Sequence, residues 1–397
     1  MKITFFSNFL NHHQLPLCHA FCAMPQVEFT FVATQAFNSG VVSAGYTDMN
    51  TAYDFCLPAY LNEENAHRAQ SLAQESDFVI IGSAPMSIVK RRIAQNKPVL
   101  RYSERLFKPL EMNPDTLKTK LYLWLHYTRF KNKRVYYLCA SAYLAGELKG
   151  LGISEKKMFR WGYFPQVITD QKTLNCIKKN PAPQLLWAGR MINWKHAELA
   201  IEAAAQLKAE GYTFLLIMIG DGVCKNELAA LAAQKGVQDC VAFTGALQAA
   251  DVTAKMQQAD VFIATSDYNE GWGAVVNESM ASGCAVVASH AMGSVPYLIQ
   301  HGQNGLVFES GNLPQLTYRL RQLLEDKALC AALGKSAQQT IKEQWNAHTA
   351  AQNLVQLLQN NMQPTVQSGP AAYAPAIAQE DMAAFTILPA QETENDE

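Results

Sequence analysis

Short apolar runs that lack polar alternation recur along this chain, each separated from the next by a segment of helical length. This pattern constrains the fold most, because a strand that is apolar on both faces must be covered on both. In the first half, residues 2–6, 27–32, 78–81, 98–102 and 135–139 read as strands, with helical segments at 66–74 and 84–95. In the second half, residues 185–188, 213–219, 241–244, 261–264, 285–288 and 306–307 read the same way. The segment 196–210 carries a long Ala/Leu stripe and stops at Gly211, a residue suited to the left-handed position after a helix. The expectation is an α/β chain with parallel sheets sandwiched between helices.

Two such arrays flank residues 163–184, where periodicity is lost and the chain reads Asn180-Pro-Ala-Pro. This divides the 397 residues into a Rossmann-like domain over 1–165, a linker over 166–184 and a second Rossmann-like domain over 185–345. A helix over 346–361 is expected to pack back on the first domain, followed by an acidic Ala/Gln/Pro tail over 362–397, expected to be disordered. Doubly wound sheets bind ligands beyond the carboxyl ends of their strands, so an inter-domain cleft is the expected site.

The formal charge of −1 conceals an asymmetry, since the tail from Met362 onward holds six acids and no Lys or Arg. Without it, 33 basic residues face 28 acids, a mildly basic body suited to an anionic ligand. The nine cysteines are scattered and form no C-x-x-C pair, which argues against a disulfide framework and a paired-cysteine zinc module. Cys18, His19 and Cys22 lie close together, but thiols one turn apart are more often packing residues than metal ligands. No run reaches the ~18–20 apolar residues of a membrane span. A cytoplasmic enzyme or binding protein is the starting expectation.

Three loops that follow strands hold the candidate chemistry. The first is Trp187-Ala-Gly-Arg-Met-Ile-Asn-Trp-Lys-His, where Arg190 and Lys195 can neutralise a diphosphate or lie in solvent as ordinary surface cations. The second is Ile219-Gly-Asp-Gly, whose glycines can admit a base or sugar or simply form a turn. The third runs from Tyr268 through Glu270-Gly-Trp-Gly-Ala-Val-Val-Asn-Glu278 to Gly283. On one continuous helix its two acids would be separated by ~12 Å of rise and ~80° of rotation, too far to share a ligand atom. With Glu270 in the loop and Glu278 in the helix, both can flank one extended polar ligand beside the amides of the helix start.

Taken together, these loops resemble the retaining family-4 glycosyltransferases of the GT-B fold, the group 1 glycosyl transferases, from Leu185 to about Trp345. The acid–seven residues–acid motif from Glu270 to Glu278 carries most of the likeness. Gly189-Arg190 with Lys195, Gly220-Asp221-Gly222 and Phe243-Thr244-Gly245 occur in the family's order. The resemblance implies a nucleotide-diphosphate-sugar donor and no metal cofactor; the chain contains no Asp-x-Asp. It also implies that Arg190 and Lys195 hold the diphosphate, Glu278 bonds the ribose and Glu270 meets the donor sugar. Gly189, Gly220, Asp221, Gly222, Thr244, Gly271, Gly273, Ala274 and Val275 would line the rest of the donor site. The branch most similar builds bacterial surface polysaccharides, which implies a saccharide or lipid-linked acceptor. The chain departs from many relatives at Met292-Gly-Ser-Val-Pro-Tyr297, where they carry Gly-Gly-x-x-Glu.

On the acceptor side, Asn11, His12 and His13 follow the first strand, and Ser103 and Glu104 follow the strand near residue 100. Between Lys90 and Arg134, thirteen basic residues face only Glu104, Glu111 and Asp115, interspersed with Leu117, Leu121, Trp124, Leu125 and Tyr127. That composition suits a solvated face or an anionic membrane surface, with peripheral attachment. Nucleic acid is not expected, since the motifs point to a nucleotide sugar.

Overall fold

The computed structural model describes residues 1–37, 48–108, 116–166 and 182–377. Most of the 166–184 linker and the last twenty residues of the tail lie outside them, as do Glu111 and Asp115. The chain forms two compact units, one of Met1–Gln166 with Gln344–Ala376, the other centred on 182–343.

The first unit holds a seven-stranded parallel sheet. Its strands are β1 (Lys2–Ser7), β2 (Glu28–Ala33), β3 (Cys56–Pro58), β4 (Phe78–Ile81), β5 (Val99–Ser103), β6 (Val135–Cys139) and β7 (Met158–Arg160). They lie in the order β3-β2-β1-β4-β5-β6-β7. The second unit holds β8 (Gln184–Ala188), β9 (Leu215–Ile219), β10 (Val241–Gly245), β11 (Val261–Ala264), β12 (Ala285–Ser289) and β13 (Leu306–Phe308), ordered β10-β9-β8-β11-β12-β13. Each sheet starts in its middle, grows one way, then reverses after its third strand. That order is the Rossmann-like winding expected from the alternation of strands and helices.

The strands expected from sequence are present, shifted by at most two residues at any end. Two edge strands, β3 and β7, were not expected. The central strands of the second sheet are buried throughout, for example Leu185, Leu186, Trp187 and Ala188 on β8 and all four residues of β11. Helix Ala197–Ala209 covers them through Leu199, Ala200, Ala203, Ala204 and Leu207. Its alanines allow a close approach, and Gly211 ends it at φ 92° with its amide on the Lys208 carbonyl. Asparagine side chains start three other helices: Asn62 accepts from the Asn65 amide, Asn312 from Gln315 and Asn346 from Thr349.

The C-terminal segment departs from expectation at Trp345 and in the tail. Trp345, assigned from sequence to the second domain, is buried and stacks on Phe164 of the first unit. Helix Ala347–Gln359 also belongs to the first unit, as does part of the tail that was expected to be disordered. Tyr373 forms an antiparallel bridge with Phe159 of β7, and Ala371, Ala372 and Ala374 are buried. Small apolar side chains let this stretch lie flat on the sheet edge and satisfy backbone groups there: Arg160 N–H donates to the Ala372 carbonyl and Ala374 N–H to that of Met158.

Candidate active site

The cation-bearing loop leaves β8 and the Glu270 loop leaves β11. These strands pair directly, Val261 opposite Leu185 and Phe262 opposite Leu186. The winding of the second sheet reverses here, so successive crossovers depart in opposite directions and their loops diverge around a crevice.

Hydrogen bonds tie the two loops together. The Trp187 indole N–H donates to Thr265 Oγ1 at 2.9 Å, and that hydroxyl donates to the Lys195 carbonyl at 2.6 Å. The Asp267 amide donates to the Trp194 carbonyl at 3.1 Å. On this frame Lys195 Nζ forms an ion pair with Glu270 Oε2, both side chains being largely buried. Ser266 Oγ donates to the same oxygen at 3.1 Å. The Trp194 ring lies beneath the cations, its centroid 4.7 Å from Lys195 Nζ and 5.8 Å from the Arg190 guanidinium. Arg190 itself is exposed.

The glycine loop after β9 packs against the backbone of the loop after β8. Gly220 has φ 138° and Gly222 φ 154°, and a Cβ on them would come within 1.9 Å of the Gly189 carbonyl oxygen and 2.3 Å of that of Met191. These glycines therefore let the β9 loop lie against the β8 loop, Gly189 to Met191, where any side chain would collide with backbone. Asp221 accepts from its neighbour's amide and from Lys225 Nζ, and these two bonds, the one from Lys225 foremost, lower its pKa. Thr244 is placed apart from the charged pair. It stands on edge strand β10, two strands from β8, with its hydroxyl on the Met218 and Gly245 carbonyls.

Gly271 is buried, and Gly273 begins helix Ala274–Ala281 at φ 87°. A Cβ there would meet Met292 Cε at 2.4 Å and Glu270 Cγ at 3.3 Å. The Ala274 and Val275 amides lie in the first turn, where an α-helix provides no internal acceptor and the dipole favours an anion. Glu278 lies in the helix body, ~7.5 Å of rise beyond Gly273. Burial raises its carboxyl pKa to about 7.

In the first unit, Asn11 caps its own turn by accepting from the His13 and Gln14 amides. The His12 and His13 rings lie 3.9 Å apart, and His13 stacks on Tyr163 at 5.5 Å. Burial and then His12 lower the His13 pKa to about 3, and burial lowers that of His12, so both rings are neutral at pH 7. Tyr163 O–H donates to Glu104 Oε1 at 2.8 Å, while Lys108 pairs with the other oxygen at 3.3 Å. Ser103 Oγ turns to the Glu104 carbonyl. The structure thus joins the β1 and β5 loops through Tyr163, a residue of Trp161-Gly-Tyr-Phe-Pro to which the sequence alone gave no place in the site. Cys18 is a buried core thiol and His19 packs edge-on against Tyr53 and Phe55.

The run from Lys90 to Arg134 is not one surface. Arg92 is fully buried, donating to the carbonyls of Pro98, Ala73, Ser76 and Asp77. Arg105 is buried against Glu147, and Arg101 lies over the Tyr127 ring at 3.7 Å with its guanidinium on the His126 carbonyl. Lys90, Arg91, Lys97, Arg129, Lys131, Lys133 and Arg134 face solvent, and helix Leu117–His126 adds exposed apolar residues, Leu117 at 83%, Leu121 at 56% and Trp124 at 54%.

Two parallel Rossmann-like sheets define the GT-B class of fold. Residues 174–340, which span nearly all of the second unit's described residues, match the family model of the glycosyl transferases group 1. A GDP-mannose-dependent phosphatidylinositol monomannoside mannosyltransferase of Mycobacterium tuberculosis is 27% identical over 186 residues, 45% of this chain and 48% of that protein. The lipopolysaccharide core biosynthesis glycosyltransferase LpsE of Rhizobium meliloti is 29% identical over 177 residues, 45% of this chain and 50% of that protein. The matched stretch spans about half the length of these relatives. Among solved structures, Anabaena HepE in complex with UDP superposes with a TM-score of 0.66 at 18% identity, covering 91% of this chain and all of that one. WaaG, a glycosyltransferase involved in lipopolysaccharide biosynthesis, gives 0.60 at 16%, covering 90% and 99%.

Proposed function

We propose that this chain is a metal-independent glycosyltransferase that moves a sugar from a nucleotide-diphosphate donor to a saccharide or lipid-linked saccharide with retention of configuration. One observation carries the reading: Lys195 and Glu270 are held as a largely buried ion pair beside Arg190, where the winding of the second sheet reverses. Arg190, Lys195 and the Ala274 and Val275 amides stabilise the departing diphosphate, an electrostatic task. Glu270 faces the positive charge developing on the donor sugar, and Glu278 accepts from ribose hydroxyls. The sugar–phosphate C–O bond breaks as the acceptor oxygen bonds to the same face of the anomeric carbon. The acceptor proton passes to the phosphate, giving a glycoside and a nucleoside diphosphate. The first-unit group of His12, His13, Tyr163 and Glu104 offers neutral rings and a carboxylate to acceptor hydroxyls.

The test is a thermal-shift panel of UDP-, GDP-, ADP- and dTDP-sugars, because a ligand of the native state raises Tm. The donor that stabilises the protein is then supplied with acceptors in EDTA and the product's anomeric configuration is read by NMR. Transfer with retention in EDTA is expected. No shift with any donor, or loss of transfer restored by manganese, refutes the reading.

Helix Leu117–His126 supports peripheral attachment at an anionic membrane. Its exposed Leu117, Leu121, Tyr122 and Trp124 suit an interface, while Lys118 and Lys120 are exposed on the same helix. No helix among the described residues is long and apolar enough to cross a membrane. Co-sedimentation with anionic liposomes should weaken as salt rises, since the Debye length falls from ~10 Å at 0.1 M to ~3 Å at 1 M. It should also weaken when Lys118, Lys120, Arg129 and Lys131 become Gln. Equal binding to neutral vesicles would exclude the electrostatic attachment.

A further inference from the structure

The structure places a histidine between the two loops of the donor site. His196 follows Lys195 directly and has φ 49° and ψ 46°, a left-handed conformation uncommon for a residue with a side chain. Such a conformation persists where surrounding contacts hold it, and here both ring nitrogens face carboxylates. Nδ1 lies 2.7 Å from Glu198 Oε1, in the first turn of the helix that His196 begins. Nε2 lies 3.3 Å from Asp267 Oδ2, on the loop after β11. A neutral imidazole carries one N–H and can donate to only one of them, leaving a lone pair against the other; the imidazolium donates to both.

Asp267 is the hub of the Glu270 turn. Its Oδ1 accepts from the backbone and side-chain N–H groups of Asn269, and its carbonyl accepts from the Glu270 amide. An imidazolium held between Asp267 and Glu198 therefore bears on the positions of Glu270 and Lys195 alike.

We propose that His196 is a positioning residue, an imidazolium staple that fixes the Arg190–Lys195 loop against the Asp267–Glu270 loop and makes the donor site dependent on its proton. The proposal deepens the donor-site reading and rests on it for its effect on transfer. The hydrogen bond to Glu198 is the largest influence raising the His196 pKa, opposed by desolvation and supported by Asp267. The sign follows: the staple is present below the raised pKa and lost as pH climbs through it, so donor affinity and kcat/KM decline on the alkaline side. The other titratable groups nearby are Lys195, paired with Glu270, and Cys224, whose thiol contacts Asn193 and whose pKa is raised by burial and then by Glu227 and Glu198.

Two measurements test this. In the first, protein labelled with 13C in its histidine rings is titrated by NMR without nucleotide, the His196 signal being assigned by its loss in His196→Asn. Asparagine tolerates the left-handed backbone but cannot span both carboxylates. The His196 midpoint should lie above the ordinary 6.5 and fall in Asp267→Asn and in Glu198→Gln. A midpoint at or below 6.5, or one unmoved by both substitutions, overturns the staple. In the second, donor affinity and kcat/KM are followed from about pH 6 to about pH 9.5, a window that brackets the raised midpoint. His196→Asn should lose roughly 5- to 30-fold at pH 7 and lack the wild-type alkaline decline. Wild-type values and an unchanged pH profile in that variant overturn the positioning role. If wild type binds no nucleotide sugar while the His196 midpoint behaves as expected, the donor reading fails and the staple stands.

Discussion

The two sheets share one winding but present different chemistry at their reversal points. In the second sheet the loops after β8 and β11 bring up charged side chains, Arg190, Lys195 and Glu270, with His196 and Asp267 behind them. In the first, the loop after β1 brings up His12 and His13, both neutral at pH 7, and Tyr163 connects His13 to Glu104. Topology thus fixes where a ligand is met, while the loops decide what is met. Lys195 is largely buried, with the Trp194 ring against its ammonium, Thr265 donating to its carbonyl and Ser266 donating to its partner Glu270, whereas Arg190 is exposed.

The sharpest way to break this comparison is to remove charge from the second site. Arg190→Ala and Lys195→Ala should each lower kcat/KM by roughly 30- to 1000-fold, the equivalent of ~2–4 kcal/mol of charge-assisted contact at a departing phosphate. Circular dichroism should show the fold retained. Wild-type kinetics in both variants would mean that the charged pair does not meet the donor.

A smaller effect is expected at Glu278. Its carboxyl, raised by burial to about 7, must be ionised to accept best from ribose hydroxyls. Ionisation of Glu278 should therefore add a rise in nucleotide affinity through about pH 7, superposed on the alkaline decline expected from His196 and read as the difference between wild type and Glu278→Gln. Glu278→Gln should weaken binding by roughly 10- to 150-fold at pH 8, the range for hydrogen bonds to a charged group, and flatten that rise. Stability runs the other way. A carboxyl whose pKa is higher folded than unfolded loses stability as pH rises between the two values, so from about 4.5 to about 7 the Gln variant should show less decline in Tm than wild type. Calorimetric titration on either side of the Glu278 midpoint, about one pH unit below and above it, checks the first expectation. Equal pH dependence in both proteins would detach Glu278 from the ribose.

Legibility in the sequence followed the reach of the forces involved. The central strands were readable because each is apolar on both faces, a local property of residues such as Leu185–Trp187 and Ala285–Val287. Strands β3 and β7 were not, since three residues pairing at a sheet edge take their conformation from the partner strand. Arg190, Lys195 and Glu270 were legible through family likeness, and the structure adds the contact between Lys195 and Glu270. Arg92 shows the opposite limit. Within a basic run it reads as surface charge, yet its guanidinium satisfies the Ala73 and Ser76 carbonyls at the end of helix Glu63–Glu75. His196 stood in the quoted Trp187–His196 loop and Tyr163 at the edge of the aperiodic stretch, but their roles depend on Asp267 and Glu104, 71 and 59 residues away.

The smallest expected effect tests whether the C-terminal segment serves the first sheet alone. Tyr373 stacks on Phe159 at 5.7 Å, its hydroxyl donates to Gln363 and its carbonyl accepts from the Arg160 guanidinium. All of these partners lie in the first unit, and Phe159 and Arg160 belong to edge strand β7. An aromatic pair contributes ~0.5–1.5 kcal/mol beyond its buried area, so Tyr373→Ala should cost about 1 kcal/mol. For a unit of this size, that corresponds to a fall of roughly 2–4 °C in Tm. Because the contact belongs to the first sheet, while β8 and β11 belong to the second, nucleotide affinity measured well below Tm should equal that of wild type. An unchanged Tm would show that the segment adds nothing to the edge of the first sheet. A lower Tm with weakened nucleotide binding would show that a fault in one sheet reaches the other, and the two sites could no longer be treated as separate.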